Sequence, residues 1–139
     1  MELRLILMIC LLFSGSAFAE KVVVIVNKAN SDAVNQAVVK AIYEDLTTTW
    51  GNGNRIVSYD LPVKKAEREV FSQKVLGKSA SSAAKDWANR KITNTAKNPP
   101  KTKKDILVVS AVAKNADAIG YVGESVIAGK DVKVVMTIE

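Results

Sequence analysis

The residues best suited to chemistry lie between positions 54 and 87, where basic side chains meet the predicted start of a helix. Arg68 lies in this helix, and Lys64 and Lys65 precede it. The first N–H groups of a helix lack intrahelical partners and favour negative charge. The pattern therefore indicates a small-anion site with Arg68, Lys65 and Lys64 as contacts. The alternative is an arginine on the helix surface, or one in a structural ion pair for which Asp60 is the candidate partner.

A second candidate site follows the first predicted strand, the β-branched run at residues 21–26. The side chains of Asn27 and Asn30 can form hydrogen bonds to the backbone within a turn, and Ser31 is suited to cap a following helix. These three residues are interpreted first as turn-forming and capping residues. They are also candidate ligand contacts, because a strand-to-helix junction can hold an anion.

Catalytic chemistry has little support in this chain. There is no histidine, and the single cysteine is Cys10. A familiar nucleophile–base pair, a zinc ligand set and a redox dithiol therefore have no candidate residues. The acidic residues are scattered beside lysines and suggest no catalytic carboxylate pair. We expect a protein that is not an enzyme, with no cofactor and no metal.

The first 19 residues have the pattern of a secretory signal peptide. Arg4 precedes an apolar run at residues 5–13, and Ala17-Phe18-Ala19 forms a small-x-small cleavage site. The apolar run is shorter than the roughly 20 residues that span a bilayer. We therefore expect a periplasmic protein without a membrane span after cleavage. Residues 20–139 are long enough for one domain, which must rely on its core because it has no cysteine.

The net charge of +6 is concentrated in one stretch of the chain. Seven basic residues lie between positions 85 and 104: Lys85, Arg90, Lys91, Lys97, Lys101, Lys103 and Lys104. This stretch is interpreted as a solvated basic surface, or as one that attracts an anionic ligand, a cell-surface polymer or an acidic partner. Export and the lack of interleaved aromatic residues argue against nucleic acid.

Hydrophobic periodicity predicts alternating strands and helices. The predicted strands cover residues 21–26, 56–59, 118–122 and 132–138, and the helices cover 32–46, 65–76 and a segment opened by Ser79. Trp87 is expected to dock into the core. The segment Ile106–Ala113 stays open, because an apparent capping box at 102–105 favours a helix while its β-branched residues favour a strand.

Several short matches occur in a common order along the chain. They are Val24-Ile25-Val26-Asn27 with Asn30, Ile42-Tyr43 with Trp50, Gly53 and Ile56, Arg68 with Phe71, Val75 to Ser79, Trp87, Pro99-Pro100 and Ala118 to Val122. In this order and spacing the chain resembles the phosphate-type periplasmic substrate-binding proteins of ABC transporters, and specifically their short single-lobe relatives.

The resemblance implies an α/β fold: a single lobe of a periplasmic-binding-protein-like (type 2) fold, with a central, mostly parallel sheet flanked by helices. It also implies a small oxyanion ligand, with phosphate as the family default. A lone lobe presents half a cleft. It would bind weakly, or a second copy or an envelope protein would complete the cleft.

One part of the family pattern is replaced in this chain. Where the resemblance implies a phosphate-wrapping Ser-Gly-Thr turn before the helix arginine, the sequence has Lys65-Ala66-Glu67. Two hydroxyls and a glycine are absent, and Glu67 adds a negative charge. The alternative function is therefore a ligand-free structural or regulatory interaction protein of the cell envelope that retains the lobe fold.

Overall fold

The fold, taken from a computed structural model, is described for residues 20–139, and the predicted signal peptide lies outside these residues. Strands and helices alternate along most of the chain. The strands are β1 (Val22–Asn27), β2 (Val57–Asp60), β3 (Lys101–Thr102), β4 (Ala118–Gly123) and β5 (Val132–Ile138). The helices are α1 (Gln36–Tyr43), α2 (Ala66–Phe71), α3 (Ala80–Ile92) and α4 (Asp105–Lys114), with a π-helical turn at Ser72–Leu76 and a 3₁₀ turn at Glu124–Ile127.

The described strands form one mixed sheet in the order β3-β2-β4-β1-β5. β2 is parallel to β3 and to β4, whereas β1 is antiparallel to β4 and to β5. Four strands therefore run in one direction and β1 runs against them between β4 and β5. The prediction of a mostly parallel sheet holds for the direction of the strands. It does not hold for the two pairings of β1, which are antiparallel.

Adjacent residues of β4 show how helices cover both faces of the sheet. A Cβ atom on Gly120 would point at Val108 of α4, whereas the ring of Tyr121 stacks on Phe71 of α2 at 3.8 Å. Successive side chains of a strand point to opposite faces. The two helices therefore pack on opposite sides, and the buried β1 and β4 lie between them.

The first helix begins later than predicted. Asn35 is its N-cap, and its side-chain oxygen accepts a hydrogen bond from the N–H of Val38 at 3.0 Å. The prediction that Ser31 caps this helix was therefore wrong. The reason is local, because Asn30 accepts a hydrogen bond from the N–H of Asp32 and holds residues 30–32 in a turn.

The ambiguous segment 106–113 is helical, within α4. The predicted capping box is wrong, because Thr102 lies in β3 and Lys104 occupies the N-cap position without a side-chain cap. Packing decides the conformation, since Val108, Val109 and Val112 recur at helical spacing and are buried. Tertiary burial thus outweighs the β-branched content of the segment.

The remaining predicted elements agree closely with the structure. β5 has the predicted bounds, and Gly77 stops the second helical segment with a φ of 70°. Ser79 caps α3 by accepting a hydrogen bond from the N–H of Ser82, and Trp87 is buried as predicted. None of the helices in residues 20–139 is long and apolar enough to cross a membrane.

We predict that Gly120→Ala destabilises the fold, because the new Cβ would lie 2.5 Å from a methyl carbon of Val108. Overpacking of this kind costs about 1–3 kcal/mol, measurable by urea denaturation. Gly51→Ala is the control, because the new Cβ would lie no closer than 3.3 Å to its nearest neighbour, the partly exposed carboxylate of Asp32. Equal losses in the two variants would contradict close packing of β4 against α4.

Candidate functional site

The carboxyl ends of β2 and β3 border a shallow pocket of about 230 Å³. In open α/β sheets, ligands bind outside the carboxyl ends of the parallel strands. The pocket is lined by Asp60, Val63, Arg68, Ala84, Trp87, Ala88, Lys91, Pro100 and Thr102. We call this set the edge pocket. It combines two cations, one carboxylate and one hydroxyl beside an aromatic wall.

Arg68 is buried in the wall of the edge pocket rather than displayed on the helix surface. Its Nη1 donates to the carbonyl oxygen of Leu61 at 2.8 Å, and its Nη2 lies 3.4 Å from a carboxylate oxygen of Asp60. The structural alternative from the sequence is therefore present. Arg68 also keeps a place in the pocket lining, so the proposal of a ligand contact stands beside the ion pair.

Asp60 is the acceptor around which this part of the core is arranged. The Tyr121 hydroxyl donates to the second carboxylate oxygen of Asp60, and the N–H of Leu61 approaches the same hydroxyl at 3.4 Å. Burial raises the pKa of Asp60, against the opposing effects of Arg68 and the Tyr121 hydrogen bond. Burial likewise raises the pKa of Tyr121. The site thus contains a buried cation, a buried carboxylate and a neutral phenol.

Lys64 and Lys65 are exposed at the start of α2, on the same edge of the sheet. Lys65 occupies the N-cap position without a side-chain hydrogen bond, and its ammonium lies 3.7 Å from Asp105. The replaced turn therefore supplies no hydroxyl at the helix start. Both lysines can contribute positive charge there, but one of them already has an acidic neighbour.

Asn27, Asn30 and Ser31 lie at the opposite ends of the strands from the edge pocket. Asn27 donates to the carbonyl oxygens of Val112 and Ala113 at 2.8 and 3.1 Å, and so binds the end of α4. Asn30 and Ser31 line a separate pocket of about 110 Å³. Because β1 runs against β2 and β4, its end lies at the amino ends of these strands. The structure does not bring the two predicted sets together.

Sequence reasoning missed Lys91 and Thr102 as members of the site. Lys91 lies four residues after Trp87 in α3, so both face the edge pocket. That spacing was a usable signal, because Trp87 was already predicted to face inward. Thr102 gave no comparable signal, since its place depends on the pairing of β3 with β2.

We searched the part of the chain that the structure describes for side chains that could together bind a metal ion. No group of three or more His, Cys, Asp or Glu side chains in residues 20–139 is arranged to hold a metal ion. The ionisable side chains that line the edge pocket are Lys91 and the ion pair of Asp60 and Arg68. The edge pocket can therefore offer hydrogen bonds and charge to a bound group.

A double-mutant cycle should separate the Asp60–Arg68 pair from its surroundings. Removing one partner of a buried ion pair costs about 3–5 kcal/mol, because the other charge stays buried. We expect a loss of this size in the free energy of unfolding for Arg68→Met, which leaves the Asp60 carboxylate without its cation, and a smaller loss for Asp60→Asn, because burial already disfavours the charge of Asp60. The double variant should lose clearly less than the sum of the two. Additive losses would show that the pair is not coupled.

The pH dependence of stability tests the raised pKa of Asp60. Its folded pKa lies above the ordinary 3.8, so the folded chain retains a proton that the unfolded chain releases. As pH rises through this interval, the stability contributed by Asp60 falls. The free energy of unfolding of the wild type minus that of Asp60→Asn should therefore decrease as pH rises from about 4. A difference that increases with pH would mean that the charge of Arg68 outweighs burial.

Comparison with solved structures identifies the fold. An ABC-type phosphate transport receptor from Vibrio cholerae is similar at a TM-score of 0.64 and 16% identity, over 84% of this chain and 46% of the receptor. A possible phosphate binding protein from Planctomyces limnophilus DSM 3776 is similar at 0.62 and 18% identity, over 84% and 40%. No family profile and no curated protein matches the chain in sequence.

The match has a limited extent, because this chain spans less than half the length of either solved chain. A partial match of this kind fits the single lobe that the sequence resemblance implied. The prediction of fold class is confirmed: residues 20–139 form a five-stranded mixed sheet flanked by four α-helices. The chain has a periplasmic-binding-protein-like fold and is similar to part of each of these two solved chains.

Proposed function

We propose that this chain is a periplasmic substrate-binding-protein-like module that binds a small oxyanion, such as phosphate, for transport or sensing. The observation that carries the proposal is the edge pocket, which places Arg68, Lys91 and Thr102 at the carboxyl ends of two parallel strands. The solved chains that share the fold are described as a phosphate transport receptor and a possible phosphate binding protein.

The donors of the edge pocket suit a small oxyanion. Arg68 carries five N–H donors, and its contacts with Leu61 and Asp60 engage only part of them. Lys91 is exposed and forms no ion pair among the described residues. Thr102 adds a hydroxyl to the lining. Of the two lysines predicted at the start of α2, Lys64 adds positive charge on the same side, whereas Lys65 already has Asp105 as its ion-pair partner.

Asp60 determines which oxyanion fits best. Once ionised, the carboxylate of Asp60 repels an anion without a proton but accepts a hydrogen bond from one that carries an O–H group. Phosphate near neutral pH carries such a group and sulfate does not. We therefore expect the pocket to prefer phosphate over sulfate.

The proposed binding is weak in an isolated copy. The pocket is open to solvent on one side, and the chain corresponds to less than half of each similar receptor. A second copy or an envelope protein that faces this edge would complete a cleft and exclude water from the ligand. In the monomer we expect a dissociation constant in the millimolar range, about −4 kcal/mol.

A second function is favoured by a different observation. Two cations of the predicted site are already neutralised within the chain, Arg68 by Asp60 and Lys65 by Asp105. Glu69 likewise accepts a hydrogen bond from the N–H of Ala80 at the start of α3. These internal carboxylates occupy positions that suit an anion. The alternative is an envelope interaction protein that keeps the lobe fold without a ligand.

Calorimetric titration of the chain with phosphate and with sulfate separates the two functions. We expect millimolar phosphate to bind and sulfate to bind more weakly. Lys91→Gln should weaken phosphate binding by about fivefold, roughly 1 kcal/mol, because a charged hydrogen-bond donor is lost. Lys85→Gln is the matched control, since it is an exposed lysine of the same helix outside the pocket lining.

The variants chosen for this test should leave the fold intact, so that their effects report on binding. Arg68→Ala is unsuited to this purpose, because it leaves Asp60 buried without its cation. No heat at millimolar phosphate would support the ligand-free interaction protein. Equal loss in the Lys85 and Lys91 variants would place any binding outside the edge pocket.

A further inference from the structure

Five exposed lysines lie beside and along the outer strand of the sheet. Four lie in the segment 97–104, which contains β3, and the fifth is on α3, where it shares the edge pocket with Pro100 and Thr102. We call them the basic strip: Lys91, Lys97, Lys101, Lys103 and Lys104. Lys91 also lines the edge pocket, whereas the other four lysines of the strip lie outside its lining.

Hydrogen bonds to the folded core hold the backbone of the basic strip. The carboxylate of Asp45 accepts from the N–H groups of Lys97 and Asn98 at 2.7 and 2.8 Å. The Asn98 side chain donates to the carbonyl oxygen of Ile56 at 2.8 Å. Farther along, the N–H of Lys103 donates to the carbonyl oxygen of Asp60 at 2.9 Å. The positions from which the lysines project are therefore fixed before binding, which lowers the entropic cost of association.

The positive charge of the basic strip is uncompensated. None of the ion pairs among residues 20–139 includes a lysine of the strip. The two acids in this part of the sequence are already paired, Asp86 with Lys78 and Asp105 with Lys65. Like charges gathered on one surface repel each other and attract anions.

The arrangement of these charges points to a long ligand. Residues 97–104 cover at most about 25 Å when extended, and their lysines are spread along this length. No single cavity collects them: Lys91 lines the edge pocket, while Lys101 lines a separate pocket of about 200 Å³ beside Arg55. A small anion contacts one or two such cations, whereas a linear polymer with repeated negative groups can reach several of those in the segment 97–104.

We infer that the basic strip binds a linear acidic polysaccharide that carries repeated sulfate, phosphate or carboxylate groups. Nucleic acid fits less well, because single-stranded chains bind by stacking bases on exposed aromatic rings. Every aromatic side chain of residues 20–139 is buried: Tyr43, Trp50, Tyr59, Phe71, Trp87 and Tyr121. An acidic protein also fits less well, since protein interfaces have an apolar centre, and the exposed Ile92 and Ile106 next to the strip lie outside residues 97–104.

Heparin, polygalacturonate and neutral dextran are the probes for this inference. The strip variant is Lys97→Gln, Lys101→Gln and Lys103→Gln, which leaves Lys91 and the edge pocket intact. The control variant is Lys74→Gln, Lys114→Gln and Lys130→Gln, three exposed lysines outside the strip with the same loss of charge. Circular dichroism checks that both variants fold, and binding is measured by titration at several salt concentrations.

We expect the wild type to bind heparin and polygalacturonate but not dextran. The strip variant should bind at least tenfold more weakly at low salt, and its slope of log K against log salt should fall by roughly two to three, about one for each lost contact. The control variant should stay within about threefold of the wild type, because its lysines lie outside the contact.

Equal weakening in the strip and control variants would show diffuse attraction to a basic protein and would overturn the inference. Tighter binding of a single-stranded DNA oligonucleotide or of polyglutamate than of both polysaccharides would overturn the ligand class. Phosphate titration of the strip variant keeps the two proposals separate. Phosphate affinity should be unchanged there, since none of the three substituted residues lines the edge pocket.

Discussion

The buried contact between Asp60, Arg68 and Tyr121 joins the main parts of the structure. It connects the end of β2, the first turn of α2 and the centre of β4, while the ring of Tyr121 stacks on Phe71. The ion pair is costly to desolvate, so its hydrogen bonds to Leu61 and Tyr121 are needed to offset that cost. This unit orients the start of α2 toward the carboxyl edge of the sheet, and the edge pocket depends on that orientation.

The same interaction limits what the pocket can bind. A guanidinium next to a carboxylate has much less net attraction for an anion than an isolated one. Positive charge for a ligand must therefore come mainly from residues that are free of internal partners, such as Lys91 at the pocket. The lysines of the segment 97–104 form no ion pair among the described residues, and their field attracts anions. One lobe thus offers a short-range pocket and a long-range charged surface beside each other.

Local sequence signals predicted most elements, because each rests on a short-range physical cause. The αL glycine at position 77, the Ser79 cap and the apolar run of β5 all act within a few residues. The errors arose where neighbours compete. Asn35 rather than Ser31 caps α1, because Asn30 accepts a hydrogen bond that holds the residues around Ser31 in a turn. Residues 106–113 are helical because α4 buries three valines on the sheet, a contact between segments far apart in sequence.

Composition and order by themselves determined the α/β class, the absence of histidine and the likeness to a single receptor lobe. They also predicted two possible roles for Arg68: a contact to an anion, or the ion-pair partner of Asp60. Tertiary structure decided that Arg68 is buried against that carboxylate, that Lys91 and Thr102 join it, and that Asn27 and Asn30 lie at the far edge. The reason is strand direction. Which residues share an edge depends on the pairing of β1 against β4 and of β2 with β3, and these pairings are long-range.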